Sequence, residues 1–338
     1  MLPGAFNLSD KNLLLRHGVT DLLQLAQRRG ANLHKLLHGT QIFEQDLSLA
    51  ESRCHHRDWL TLVARSQQLA SPELPFILAD SLLHNKHSSL CQSLPLAANL
   101  ATSLRQLYYF RHQLLPGIFV LLRKTDSHLS IVLKPAVQLG AQQAFIIKLA
   151  MAFLVRLVQL GTQRADALNI QLKQTAPAHL AHFNSHWPCP ARFSQPLDAL
   201  HIPLSLWYQP FITRQAAGFR DLSRACYQLN RRLPPQRGLF ELIQRQLCRA
   251  LPQQASLDQL ASYLGLSSSS LKRLLQQQDT HFAALADDLR CDLANLLLLQ
   301  SRLSNRQLAS ELGYSDEHNF RRAFKRWTGH VPSSVKLW

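Results

Sequence analysis

The sequence predicts an α+β amino-terminal domain followed by an all-α carboxy-terminal domain, and three observations predict it. Apolar residues recur at helical spacing up to about Phe110. Between Pro116 and Pro135 the pattern changes to β-branched and leucine-rich runs that read as a hairpin. The last eighty residues carry one helix-turn-helix unit twice. With 338 residues, 46% of them apolar, the chain suffices for roughly two domains of about 100–200 residues, with a sizeable core and little room for disorder.

From Leu13 to Phe110, stripes such as Leu22, Leu23, Leu25, Ala26 and Trp59, Leu60, Leu62, Val63 are separated by Gly30, Gly39, Pro72 and Pro95, which predicts four or five short helices. Ile118–Arg123 and Leu129–Lys134 flank Lys124-Thr125-Asp126-Ser127, a strand-turn-strand pattern. A long helix is expected from about Leu139 to Leu160. Strands are expected at Leu168–Leu172 and His201–Trp207, the latter alternating Ile202, Leu204 and Leu206 against His201, Pro203 and Ser205. Residues 210–255 read as helix, broken at Leu233-Pro234-Pro235-Gln236, and the domain boundary belongs there.

Lys and Arg number 37 against 21 Asp and Glu, a net charge of +16 that favours an anionic partner, nucleic acid or a membrane surface. The opening MLPGAFNLSDKN lacks the basic start and continuous apolar core of a signal peptide. Ala144–Leu160, the most apolar stretch, is interrupted by Lys148 and Arg156, so a soluble cytoplasmic protein with no membrane partner is expected. The six cysteines, at 54, 91, 189, 226, 248 and 291, form no Cys-x-x-Cys pair and no zinc-clip spacing, which suits a reducing compartment. Residues 256–338 are only +2 and residues 1–255 are +14. The basic excess, including Arg220, Arg224, Arg231, Arg232, Arg237, Arg245 and Arg249, therefore reads as a solvated face, an anionic ligand pocket or an extra DNA contact.

Gln259–Ser267 (QLASYLGLS) recurs as Gln307–Ser315 (QLASELGYS), seven of nine positions identical at an offset of 48. In each copy a Gly stands where a helix needs a left-handed residue, and a Ser two residues on suits the N-cap of a second helix. The second helices bury Leu271, Leu274 and Leu275 in one copy and Phe320, Ala323, Phe324 and Trp327 in the other, one residue later in register. Opposite the stripes lie Ser269, Ser270, Lys272, Arg273 and Gln276, and His318, Asn319, Arg321, Arg322 and Lys325, side chains suited to base edges and phosphates. A connector from His281 to Ser301, N-capped by Thr280, would span roughly 30 Å, close to the 34 Å between successive major-groove faces.

Residues 256–338 resemble the double helix-turn-helix DNA-binding domain of the AraC/XylS family of bacterial transcription regulators. The densest likeness runs from Leu303 to Pro332, with the ordered signature Phe-x-Arg-Ala-Phe-Lys-Arg-Trp-Thr-Gly-x-x-Pro. The resemblance makes Ser269, Lys272 and Arg273, with Arg321, Arg322 and Lys325, the base and backbone contacts, and keeps Leu271, Phe320, Phe324 and Trp327 structural. The family usually has Gly where this chain has Asp279, a position taking positive φ, which Asp tolerates. Asp316 and Glu317, at the start of the second reading helix, would repel phosphate unless they serve the helix N-terminus. In the order helices, Ile118–Lys134 hairpin, long helix, Trp187–Ser194 and Leu200–Trp207, about 200 of the first 235 residues resemble more diffusely the effector domain of the ornithine- and arginine-regulator branch, which commonly has Phe-Gly near Trp187–Phe193, where this chain has no Gly.

The expected organisation is thus an effector-binding and dimerisation domain at 1–235, with a basic helical linker near its end, and a DNA-binding domain at 236–338. The expected function is a sequence-specific transcription regulator, an activator, with no catalysis and no cofactor. Its expected partners are promoter DNA, an unidentified small molecule, RNA polymerase and a second copy of the chain, with the protein associated with the nucleoid. The rival is a DNA-repair methyltransferase or other enzyme fused to such a reader, which needs a reactive Cys and a Cys-bound zinc. His55-His56 and the set His179, His182, His186 raise a metal site, but they lack Glu or Cys partners and read as structural or surface histidines.

Overall fold

The computed structural model describes residues 5–6, 8–69, 72–115, 117–177, 183, 185–233, 237–253, 255–300 and 303–334. Two short strands, β1 (Ala5–Phe6) and β2 (Lys11–Leu14), open the chain, and β3 (Arg53–His55) pairs antiparallel with β2. Helices α1 (Thr20–Arg28), α2 (Leu33–Leu37), α3 (His56–Leu69), α4 (Leu74–Leu83), α5 (Ser89–Ser93) and α6 (Leu100–Phe110) fill the rest of this region. That is six α-helices among the described residues where four or five helices were expected, and strands of two to four residues are too short to leave a period-two signal.

The hairpin forms as expected. β4 (Ile118–Lys124) pairs with β5 (His128–Pro135), and the Thr125 hydroxyl accepts from the His128 backbone at 3.0 Å to close the turn. With β6 (Asn169–Gln171), β7 (Ala191–Arg192) and β8 (Ala199–Pro203) they make a five-stranded sheet in the order β4-β5-β8-β6-β7, antiparallel except for β6 with β7. The expected strand at His201–Trp207 is displaced. The ladder ends at Pro203, which has no N–H to continue it, and Leu204–Leu206 turn into a 3-10 helix. Strand β8 is buried on both faces, so its hydrophobic content carries no alternation.

Helix α7 (Gln143–Thr162) is the core of this half. It is long and apolar enough to cross a membrane, yet most of it is buried within the domain, packed against α4 and the sheet. It ends in left-handed Gln163. Helix α8 (Ala216–Arg232) lies largely at the surface, with Cys226 as its buried residue. Arg220, Arg224, Arg231 and Arg232 are all exposed on it, as the solvated-face reading expects.

Strand β9 (Arg237–Gly238) pairs parallel with β1, which ties the start of the chain to the segment entering the last third. There, α9 (Leu239–Ala250), α10 (Leu257–Tyr263), α11 (Ser268–Gln276), α12 (Phe282–Gln300), α13 (Asn305–Glu311) and α14 (Glu317–Thr328) are all helical, in agreement with the expected class. Two apolar clusters hold these helices: Leu239, Ile243, Leu260, Leu271, Leu275 and Leu289 in one, and Ala294, Leu308, Leu312, Phe320 and Phe324 in the other. The break expected at Pro234-Pro235-Gln236, like Ser301, His179 and His182, lies outside the described residues.

Candidate nucleic-acid interface and ligand cavity

Each repeat is built by its own capping chemistry. Ser256 accepts from the Gln259 N–H at 3.1 Å while the Gln259 side chain accepts from Ser256 N–H at 2.8 Å, and Ser304 with Gln307 repeats this box. Leu260, Ala261 and Leu264 in one unit, and Leu308, Ala309 and Leu312 in the other, are buried. Gly265 (φ 68°) and Gly313 (φ 78°) then turn the chain through the left-handed region.

The second helices differ by one residue. Ser267 caps α11 as expected, but in the other copy the cap is Asp316, not Ser315, its carboxylate accepting from Asn319 N–H at 2.8 Å. The later start explains why the second apolar stripe runs one residue behind the first. It also assigns Asp316 to capping, and the backbone hydrogen bond holds its carboxyl below the usual range.

Ser269, Lys272, Arg273 and Gln276, and His318, Asn319, Arg321, Arg322 and Lys325, are all exposed on the faces opposite the buried stripes. Ser270 is half-buried, its N–H bonded to the cap Ser267 at 3.1 Å, and Asn319 Nδ2 donates to Ser315 and Asp316, so these two also serve the caps. Leu271, Phe320 and Phe324 are core. Leu274 and Trp327 are only half-buried, a correction to the expectation, because each sits at the edge of its cluster. Asp279 takes φ 51°, the positive φ expected at this position. Ser194, next to Phe193, also takes a positive φ, 54°, without being glycine.

The connector α12 begins at Phe282, which leaves Thr280 outside the N-cap position. At 1.5 Å per residue its 19 residues span about 28 Å. Leu285 and Leu289 pack into the first unit, Ala294 and Leu297 into the second, and Leu296 and Leu299 against Val132 and Ala199 of the sheet and Leu197 just before β8.

Sequence reasoning missed this junction with the sheet. Lys134 on β5 reaches Asp292 and, at 2.6 Å, Asp288 of α12. Lys173 Nζ lies 3.1 Å from Asp292, and Gln244 on α9 donates to Asp288 at 3.1 Å. Burial opposes the charge on Asp288, but the two lysines more than offset it and hold its carboxyl below the usual range. The signal was available: two Asp at i, i+4 within an otherwise leucine-rich helix, and a Lys inside a strand. Gln138 also bonds Gln278, just past α11, at 3.2 Å.

On the other face of the hairpin, a cavity of about 270 Å³ lies between β4, β5, α6 and α7. Ile118, Val120, Leu129 and Ile131 line it from the sheet and Phe153 and Leu154 from α7. Among the described residues, Arg105 and Arg111 are its charged residues and no acid lines it. Arg111 pairs with buried Glu241 on α9. Arg245 donates to the same Glu241 oxygen at 2.7 Å, and both guanidiniums lie over the Tyr108 ring, at 5.2 and 5.6 Å. Arg245 is thereby a half-buried partner of Glu241 rather than part of a solvated basic face.

No set of three or more His, Cys, Asp or Glu among the described residues is placed to hold a metal ion. His55 pairs with Asp58 at 3.0 Å, His56 stacks on Phe6, and His186 stacks on Phe76. Burial pushes the Cys91, Cys189 and Cys291 thiols up to about 12 and Cys226 to about 11, the opposite of what a nucleophile needs.

Residues 260–336 match the family model described as a helix-turn-helix domain, and residues 30–211 match that of the arabinose-binding domain of AraC transcription regulator, N-terminal. The ornithine utilization regulator of Pseudomonas aeruginosa is 26% identical over 318 residues, covering 93% of this chain and 94% of the relative. The regulator VqsM of the same species is 34% identical over 99 residues, 29% of this chain and 30% of its own. The crystal structure of the transcriptional regulator CdpR from Pseudomonas aeruginosa aligns over 81% of this chain and 95% of its own, at 18% identity and a TM-score of 0.34.

Proposed function

Because the chain belongs to the AraC family of transcription regulators, with an amino-terminal effector domain and a carboxy-terminal helix-turn-helix DNA-binding domain, we propose that α11 and α14 enter two successive major grooves of a promoter. The observation that carries this reading is the pair of capped units on one connector of about 28 Å, each turning its Lys and Arg away from its core. Lys272, Arg273, Arg321, Arg322 and Lys325 grip phosphates and read guanine edges. Ser269, Gln276 and His318 add hydrogen bonds, and Ser270 and Asn319 contribute through the helix N-termini.

On this reading the chain divides at 235/236, acts as an activator at the nucleoid, meets RNA polymerase on the promoter, and binds DNA as a pair of copies. The high thiol pKa values and the regulator names of its relatives favour regulation over catalysis. An electrophoretic titration of the full chain against promoter fragments in rising salt tests it. Sequence-selective binding that falls steeply with salt is expected, and salt-insensitive or sequence-indifferent binding would overturn the proposal.

A further inference from the structure

The geometry points to the cavity between the hairpin, α6 and α7 as a site for an apolar monocarboxylate of about ten carbons, whose carboxylate joins Arg111 and reports occupancy through Glu241 to α9. It rests on the reading of the amino-terminal half as an effector domain and adds the ligand class and the route of the signal.

The size and the walls set the body of the ligand. A dry cavity of about 150 Å³ takes benzene, so 270 Å³ accommodates roughly ten carbons by the same ratio. The sheet residues facing inward are aliphatic without exception, from Ile118 to Leu133, and offer nothing to a sugar or a zwitterionic amino acid.

The charge sets the head group. Arg111 and Arg245 share the one carboxylate of Glu241, which leaves a guanidinium in excess at a site where Arg111 and Glu241 are both nearly inaccessible. Arg111 Nε, Arg245 Nη2 and Glu241 Oε2 are all buried without a hydrogen-bond partner among the described residues, so the cluster is not closed on itself. Nearby His112 is pushed well below its ordinary range first by burial and then by the positive charges of Arg111, Arg237 and Arg245. One added carboxylate, meeting the part of the Arg111 guanidinium that borders the cavity, balances the charge of the cluster.

The same contact provides the route outward. Glu241 opens α9, whose Leu239, Ile243 and Leu247 belong to the core of the first reading unit. A ligand carboxylate on Arg111 competes with Glu241 for that guanidinium, and Arg245 is left to hold it.

Calorimetric titration of the full-length chain with sodium decanoate and with 4-phenylbutyrate tests the site, and the two acids separate an aliphatic from an aryl-alkyl ligand. Decanoate or phenylbutyrate is expected to bind at least ten-fold tighter than decylamine. Val120→Phe, which fills the cavity and keeps both arginines in the chain, should abolish binding. Arg111→Gln should weaken it ten-fold or more, and ligand should change DNA affinity at least three-fold in the parent but not in Val120→Phe. Equal binding of acid and amine, binding undiminished by Val120→Phe, or L-ornithine binding that Val120→Phe removes would each overturn the inference. DNA affinity of the unliganded chain, measured in parallel, tests the DNA-reading proposal separately.

Discussion

Lys134 of β5 and Asp292 of α12, 2% and 1% exposed, form an ion pair that joins the sheet of the amino-terminal half to the connector of the DNA-reading half. Strand β5 alternates across this contact: Leu129, Ile131 and Leu133 face the cavity, while Val132 and Lys134 face α12. One strand therefore touches both the cavity and the helix that spaces the two helix-turn-helix units.

Removing one partner of a buried pair leaves the other charge unsatisfied. Lys134→Met should lower the unfolding free energy by about 3 kcal/mol, Lys173 keeping part of the compensation. The double variant Lys134→Met, Asp292→Leu should recover most of the loss. Denaturation of the four proteins in a double-mutant cycle measures this, and additive losses would show that the pair is uncoupled.

Arg273 and Arg322 are exposed on α11 and α14 and support none of the core. Replacing either with Ala should weaken specific DNA binding by about 1–3 kcal/mol while the melting temperature stays put. A gel-shift titration with unchanged binding for both variants would remove them from the interface.

Phe324 is fully buried and Trp327 is half-buried at the rim of the same cluster. Phe324→Ala should cost about 3–5 kcal/mol, and Trp327→Ala less, on the order of 2 kcal/mol. Comparing their thermal midpoints tests the ranking, and a larger loss for Trp327 would contradict it.

Burial pushes His17 and His201 down to about 4 and His56 to about 3. These bases are neutral in the folded chain but bind protons once unfolded near the ordinary 6.5, so stability is full above pH 6.5 and is lost as pH falls from there toward 4. Asp21 and Asp198, raised by burial, act in the opposite direction but are fewer. Urea midpoints should therefore drop between pH 7 and pH 5, and a flat profile would show that these histidines are solvated.

The carboxy-terminal third was legible because each local rule agreed with the next: Ser and Gln at the caps, Gly at the left-handed turns, Leu and Phe at helical spacing. The shift from Ser315 to Asp316 as cap was legible only through the register of Phe320 and Phe324. The two- and three-residue strands at Ala5 and Arg53 were not legible, since strands that short have no period. The junction between the halves was hidden for another reason. Whether Lys134 meets solvent or Asp292 depends on tertiary packing across 158 positions. That packing also bears on a fragment beginning near residue 236. Severed from the sheet, it would expose Leu296 and Leu299 and leave Asp292 without either lysine.

Hydroxyl-radical footprinting of the full chain on its promoter tests the central claim most directly. Each bound subunit should protect two major-groove segments about 10 bp apart on one face of the duplex, with Arg273→Ala erasing one segment and Arg322→Ala the other. A single protected segment, or two segments on opposite faces, would contradict the placement of α11 and α14 in successive grooves.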